Sequence, residues 1–211
     1  VEILETKREF NVKSEDIVLV NAKIRLPKIN GRSKAARRVN AYYEAVAKHW
    51  ERYAGKALAK HAKKQRAFLT KHGFPFRAFD FAVDFTVTLN DDDILSLYTD
   101  RYEYCGGANG VTVREGHTWK DGFPLRLKAM ESQKRIIKRQ IIELIKQRQT
   151  ENFFEPVKRL VGKHYSPEQW YLTPSGVTVF YQEVTVAPHI AGIMEFEVNI
   201  PPAVSAVLHN P

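Results

Sequence analysis

The chain has 211 residues, of which 44% are hydrophobic and 27% charged, a composition able to bury a sizeable core in one large domain or two small lobes. A formal net charge of +9 favours nucleic acid, anionic wall polymers or acidic membrane surfaces as partners and disfavours strongly basic ones. The single cysteine, Cys105, excludes an intramolecular disulfide framework and a cysteine-rich zinc site. No apolar run reaches bilayer-spanning length, and no basic, apolar, small-residue leader opens the sequence.

Residues 2–29 read as two strands, the second ending at Leu26-Pro27-Lys28-Ile29-Asn30-Gly31, where proline and Asn-Gly favour a turn and Pro27 suits a sheet edge. Ser33 is a plausible N-cap for a helix running to about His72. Val39, Tyr43, Val46, Trp50, Tyr53, Ala57 and Leu58 give that helix one apolar stripe, and Gly55 within it marks a bend or close approach. His72-Gly73-Phe74-Pro75 is a stop signal.

Phe79, Phe81, Val83, Phe85, Val87 and Leu89 alternate with polar or small residues and predict a strand. Asn90-Asp91-Asp92-Asp93 turns the chain, Ile94–Tyr104 returns, the glycine turn follows, and Val111–Trp119 makes a third strand, most simply as an antiparallel meander. Pro124 to about Thr150 reads as a helix with Ile136, Ile137, Gln140, Ile141, Leu144 and Ile145 on one face. A short helix near Glu155–Val161 and a hairpin of Trp170–Leu172 with Val177–Val186 come next. Glu195–Ile200 is the last strand, and Pro201-Pro202 ends regular structure. Strands and helices fall in blocks, so the expected class is α+β, an antiparallel meander packed on a long N-terminal helix and a second central helix.

Several of these segments resemble a known family. Leu97-Tyr-Thr-Asp-Arg-Tyr-Glu-Tyr-Cys-Gly-Gly-Ala-Asn-Gly110, with Thr118-Trp119 and the apolar helix after it, is similar to the RsiV C-terminal-like domain. Phe180-Tyr-Gln-Glu, Ala187-Pro-His-Ile-Ala-Gly-Ile193 and Glu195-Phe196 resemble its closing strands. Ile24-Arg-Leu-Pro-Lys-Ile-Asn-Gly31 and Val39-Asn40 resemble the companion N-terminal domain. The resemblance implies a divide at 1–78 and 79–211 within one compact unit, and an extracytoplasmic, often membrane-tethered, non-enzymatic recognition or sensor module. Relatives of that kind include a lysozyme-sensing anti-sigma factor and the non-catalytic part of some peptidoglycan deacetylases. Any tether would lie outside this chain. In the family the turn usually reads Gly-Gly-Ala-His-Gly, whereas Asn109 stands at the histidine position here. C-type lysozymes are basic, as this chain is, which slows their encounter.

The candidate ligand-binding residues are Tyr102, Tyr104, Gly106, Gly107, Asn109, His117, Trp119 and His189. Glycines in the turn can bring backbone N–H groups close to a ligand, or simply meet a positive φ. Aromatics on the adjoining strands stack on sugars or anchor a protein partner if exposed, and fill the core if buried. His189, in the Ala187–Gly192 bend, is a rim contact or a solvated side chain.

A second reading rests on Arg37, Arg38, Arg52, Lys56, Lys60, Lys63 and Lys64 of the long helix, opposed there only by Glu44 and Glu51, as a surface for a wall polymer or nucleic acid. No helix-turn-helix, zinc-finger or RNA-recognition signature accompanies it. No spacing singles out a catalytic carboxylate pair, a metal-binding histidine pair or a nucleophile with its base around Cys105, so no cofactor and no enzymatic activity are expected.

Overall fold

The structure is a computed structural model that describes residues 1–91, 93–148 and 152–200. It has the expected α+β architecture, with a six-stranded sheet and a three-stranded sheet. The first sheet has the order β1 (Ile3–Ser14), β2 (Ile17–Ile29), β3 (Phe79–Asp91), β4 (Ile94–Tyr104), β5 (Val111–Lys120) and β6 (Phe123–Pro124). The second contains β7 (Trp170–Thr173), β8 (Gly176–Tyr181) and β9 (Met194–Val198), paired antiparallel. The chain divides into two compact units: unit 1 holds Val1–Phe85 with Asp100–Val111, and unit 2 holds Thr86–Thr99 with the chain from Thr112 onward. Strands β3 and β4 therefore carry residues of both.

In unit 1, β1 and β2 form a long hairpin with a bulge between Val12 and Lys13. The helical segment is α1 (Lys34–Arg52), a π-helical turn (Tyr53–Leu58) and α2 (Ala59–Lys71). Ser33 caps it, its hydroxyl accepting from the Ala36 N–H at 3.0 Å. Asn40 exchanges two side-chain hydrogen bonds with the Ile29 backbone, tying α1 to the end of β2.

One side of the helix is buried through Val39, Tyr43 and Ala47, then Ala54, Leu58 and Ala62. Val20, Ala22, Ile24 and Leu26 of β2 and Phe79, Phe81 and Val83 of β3 complete the core. Each such leucine or phenylalanine contributes about 1.5–3 kcal/mol by leaving water.

One pairing lies outside the meander expected of the strands from Phe79 to Trp119. β2 and β3 pair in parallel, Val20–Ile24 against Phe79–Val83, because the long helix carries the chain back to the same end of the sheet. β2–helix–β3 is thus a βαβ unit inside an α+β fold. β2 is an interior strand, and Pro27 lies beyond the Val20–Ile24 stretch that pairs with β3, opposite Glu5 of β1, so its missing N–H removes no bond on the β3 side.

In unit 2 the helix expected from Pro124 is shorter and interrupted. Phe123–Pro124 pairs with Trp119–Lys120 across a turn in which Asp121 and Gly122 take positive φ. Helices α3 (Ala129–Ser132) and α4 (Lys134–Gln147) follow, parted at Gln133, which departs from helical geometry; Thr150 lies outside the described residues. Ile137, Ile141 and Ile145 of α4 are buried at four-residue spacing, while Ile136, one position off that face, is 45% exposed.

Helix α5 (Val157–His164) continues through Gly162. Strand β8 stops at Tyr181, well short of Val186, and Val184 then takes a positive φ. Strand β9 begins at Met194, while Pro201 and Pro202, like Asp92 of the expected aspartate turn, lie outside the described residues.

The core of this unit joins α4 and Val161 to Leu172, Val177, Val179, Tyr181, Phe196 and Val198. The fully buried Ser96 hydroxyl accepts from the Leu172 N–H at 2.8 Å and lies 2.8 Å from the Thr118 hydroxyl, pinning β7 beside β4 and β5. Among the described residues no helix is long and apolar enough to cross a membrane.

Candidate functional site

The glycine turn belongs to unit 1 and is held from three sides. Tyr102 and Tyr104, two residues apart, fall on one face of β4, yet Tyr102 is 38% exposed and Tyr104 is buried. The Tyr104 hydroxyl donates to the Gly107 carbonyl at 3.1 Å, and the Arg77 guanidinium lies 4.7 Å over its ring. Gly106 has φ 87° and lies against Gln65, where a Cβ would come within 2.5 Å of Nε2. At Gly110 a Cβ would sit 2.4 Å from the Tyr102 ring, so this position admits no side chain while that ring stays in place. Gly107, Ala108 and Asn109 remain exposed at the tip.

Beside the turn is a cluster that the sequence reading did not single out. Glu103 accepts from the Tyr53 hydroxyl at 2.9 Å, the Cys105 thiol at 3.3 Å and Arg101 at 3.4 Å. Tyr53 also packs on Trp50 and Phe81, and Arg101 lies over the Trp50 ring. The available signal was the alternation of Arg101, Glu103 and Cys105, which puts them on one side of β4 and of the residue that follows it. Burial first, and then the Glu103 hydrogen bond, push the Tyr53 hydroxyl and the Cys105 thiol each up to about 12.

Cys105 is therefore a protonated, weakly nucleophilic thiol at neutral pH. At pH 8 it is expected to react with Ellman's reagent at least about a hundredfold more slowly than an unperturbed cysteine, and Glu103→Gln to accelerate it. A rate equal to that of a free thiol would contradict this environment.

The other candidates lie in unit 2. Trp119 is 5% exposed, and His117 is nearly enclosed, its Nε2 3.2 Å from the Thr99 hydroxyl and 3.9 Å from Glu115. Burial lowers the His117 imidazole to about 4, so it is neutral at physiological pH. Tyr104, His117 and Trp119 thus work inside the protein as placed, leaving Tyr102, Gly107, Asn109 and His189 as the candidates with solvent-facing area.

His189 opens a short 3₁₀ turn (His189–Ala191), with Nδ1 3.3 Å from Glu183, whose same oxygen accepts from the Thr112 N–H. Ile190 on that turn is 95% exposed, an apolar tip that composition alone could not reveal.

The helical cations behave differently from one another. Arg37 donates to the Arg32 carbonyl, and Arg38 also has a partner. Arg52, Lys56, Lys60, Lys63 and Lys64 are all exposed on the π turn, its preceding residue and α2. Among the described residues, no three or more His, Cys, Asp or Glu side chains group so as to hold a metal ion.

No curated protein matches the chain by sequence. Solved structures match its fold, among them two DUF3298 proteins. A DUF3298 family member from Bacteroides fragilis NCTC 9343 has a TM-score of 0.67 at 14% identity, covering 93% of this chain and 89% of its own. A DUF3298 family protein from Pseudomonas aeruginosa PAO1 has a TM-score of 0.59 at 15% identity, covering 95% and 90% respectively. Residues 13–112 match the family model described as Deacetylase PdaC, and residues 126–200 match that of a protein of unknown function, DUF3298. The chain thus joins a PdaC-type stretch to a DUF3298-type stretch, on a fold like that of solved DUF3298 proteins.

Proposed function

We propose that this chain is a non-enzymatic recognition domain of the cell envelope, of the RsiV-like kind, that meets a protein or wall-glycan partner through the tip of its glycine turn. The observation that carries the reading is the construction of that turn. Tyr104, Gln65 and Tyr102 fix its path, while Gly107, Ala108 and Asn109 face solvent with little side-chain bulk. A braced backbone of this kind binds with little ordering entropy to lose. The name of the matched model, Deacetylase PdaC, supports an association with wall chemistry, and an extracytoplasmic location follows from the same reading.

Binding is tested by calorimetric titration with a c-type lysozyme and, separately, with soluble peptidoglycan fragments. One of them is expected to bind saturably, and Ala108→Trp, a bulky change at an exposed position, to weaken it at least about tenfold by blocking the turn. Binding that survives Ala108→Trp unchanged, or the absence of binding by either, would overturn the proposal. Lysozyme binding would identify a protein sensor, and fragment binding a glycan module.

A further inference from the structure

A different surface of unit 1 carries an inference independent of the turn. Arg52, Lys56, Lys60, Lys63 and Lys64 lie within four turns of one helical segment, and none meets a carboxylate among the described residues. This does not reflect a general scarcity of acids. Arg25 pairs with Asp84, Lys48 with Glu44, and Arg66 with Glu15, all within the same unit. The helix's only two acids, Glu44 and Glu51, both bind Arg8 of β1. The structure therefore draws the helix's negative charge toward the sheet and leaves the cationic row without neutralisation.

The π turn shapes that row. In an α-helix a four-residue step overshoots a full turn by about 40°, so a row of i, i+4 residues winds around the axis. The wider π turn brings a step of four to five residues close to one full turn. Arg52, Lys56 and Lys60 flank or occupy the π turn at four-residue steps, and Lys64 extends the series, so they align more nearly along the axis. The row is about 18 Å long, with a charge roughly every 6 Å. On the opposite side Ala54, Leu58 and Ala62 are buried, and the turn is held where Tyr53 packs on Phe81 and donates to Glu103.

We propose that this row binds a flexible, linear, base-free phosphodiester polymer of the poly(glycerol phosphate) type. The match is one of charge and form: a straight cationic line suits an extended chain of regularly spaced anions. Four of the five cations are lysines, which act as point charges for a mobile polymer and lack the fixed fork by which arginine selects a planar carboxylate. Sites for single-stranded nucleic acid combine cations with exposed aromatic platforms. Beside this row Gly55, Ala57 and Ala67 are exposed and offer no ring, His61 packs on Phe79, and Phe68, 61% exposed one step past Lys64, packs on His72. One exposed ring at the end of the row is not the succession of platforms that bases stack on, which favours a polymer without bases.

The test is a titration of the whole chain with poly(glycerol phosphate) at 50 and 200 mM salt. Neutralising four or five phosphates should weaken binding about a hundredfold across that interval. Replacing Lys56, Lys60, Lys63 and Lys64 together by glutamine should lower low-salt affinity at least tenfold and flatten the salt response. The same substitution at Lys134, Arg135 and Arg139 of α4, a control of similar charge, should leave most of the binding intact. All these positions are exposed, and unchanged circular dichroism would confirm folding. No binding at 50 mM salt, equal losses in both variants, or tighter binding of an oligothymidylate of equal charge would each overturn the proposal. The last result would assign the row to nucleic acid. An Ala108→Trp chain should bind the polymer normally, which separates this surface from the turn.

Discussion

Gly116→Ala is expected to destabilise unit 2 by about 3 kcal/mol or more, lowering its melting temperature by roughly 10–20 °C. A Cβ on Gly116 would lie 2.0 Å from the Trp170 carbonyl oxygen, 2.9 Å from its carbonyl carbon and 3.3 Å from the Phe180 ring. The first two atoms belong to backbone in β7, so no rotamer change relieves the clash. Trp170 is paired with Val179, and Leu172 two residues on donates to the buried Ser96 hydroxyl. Moving β7 aside would disturb both. Gly162→Ala in α5 is the matched contrast, because a Cβ there meets nothing within 4 Å. It should stabilise by about 0.5–1 kcal/mol through helix propensity alone. Thermal or urea unfolding of the two variants should therefore shift in opposite directions; a neutral Gly116→Ala would mean that β5 and β7 are not packed this closely.

Local chemistry accounts for the parts of this fold that were legible in the sequence. Ser33 has a single backbone N–H to cap, and Ile137, Ile141 and Ile145 repeat with the period of one helix face, so both features follow from neighbours in the chain. The parallel β2–β3 pairing was not legible, since it depends on where a long helix delivers the chain. The π turn was visible only as Gly55 within a helical pattern. What holds it is the contact of Tyr53 with Phe81 and Glu103, a long way off in sequence.

The candidate sites divide in the same way. The glycines of the turn marked its position, but alternation puts Tyr102 and Tyr104 on one face of β4 and did not foretell that only Tyr104 is buried. For β5 alternation was a poor guide, because Thr118 and Trp119 are consecutive and both buried. A strand covered on both faces loses the contrast that a period of two relies on. The cationic helix was visible as composition, but the diversion of Glu44 and Glu51 to Arg8 is a tertiary fact.

His117 makes the chain's acid stability depend on one enclosed ring. In unfolded chain its imidazole titrates near 6.5, and in the fold burial lowers it to about 4. Glu115 lies 3.9 Å away and would favour the charged ring, but its side chain is 62% exposed and well screened by water. Burial therefore wins. A histidine whose folded value is depressed binds fewer protons in the native state than in the unfolded one. Its contribution is complete above about pH 6.5 and is lost as pH falls toward 4, at up to about 1.4 kcal/mol per unit and roughly 3 kcal/mol in all. His117→Gln, which keeps a polar group facing the Thr99 hydroxyl, should remove that component and leave the carboxylates' share of acid sensitivity. Urea unfolding in a Trp50→Phe background would follow Trp119 and Trp170, both in unit 2. Between pH 7.5 and 4.5 the stability of the His117 chain should fall by about 2–3 kcal/mol more than that of the glutamine variant. Parallel curves, or an imidazole proton resonance titrating near 6.5 in the native protein, would show that the ring meets water and that burial does not set its charge.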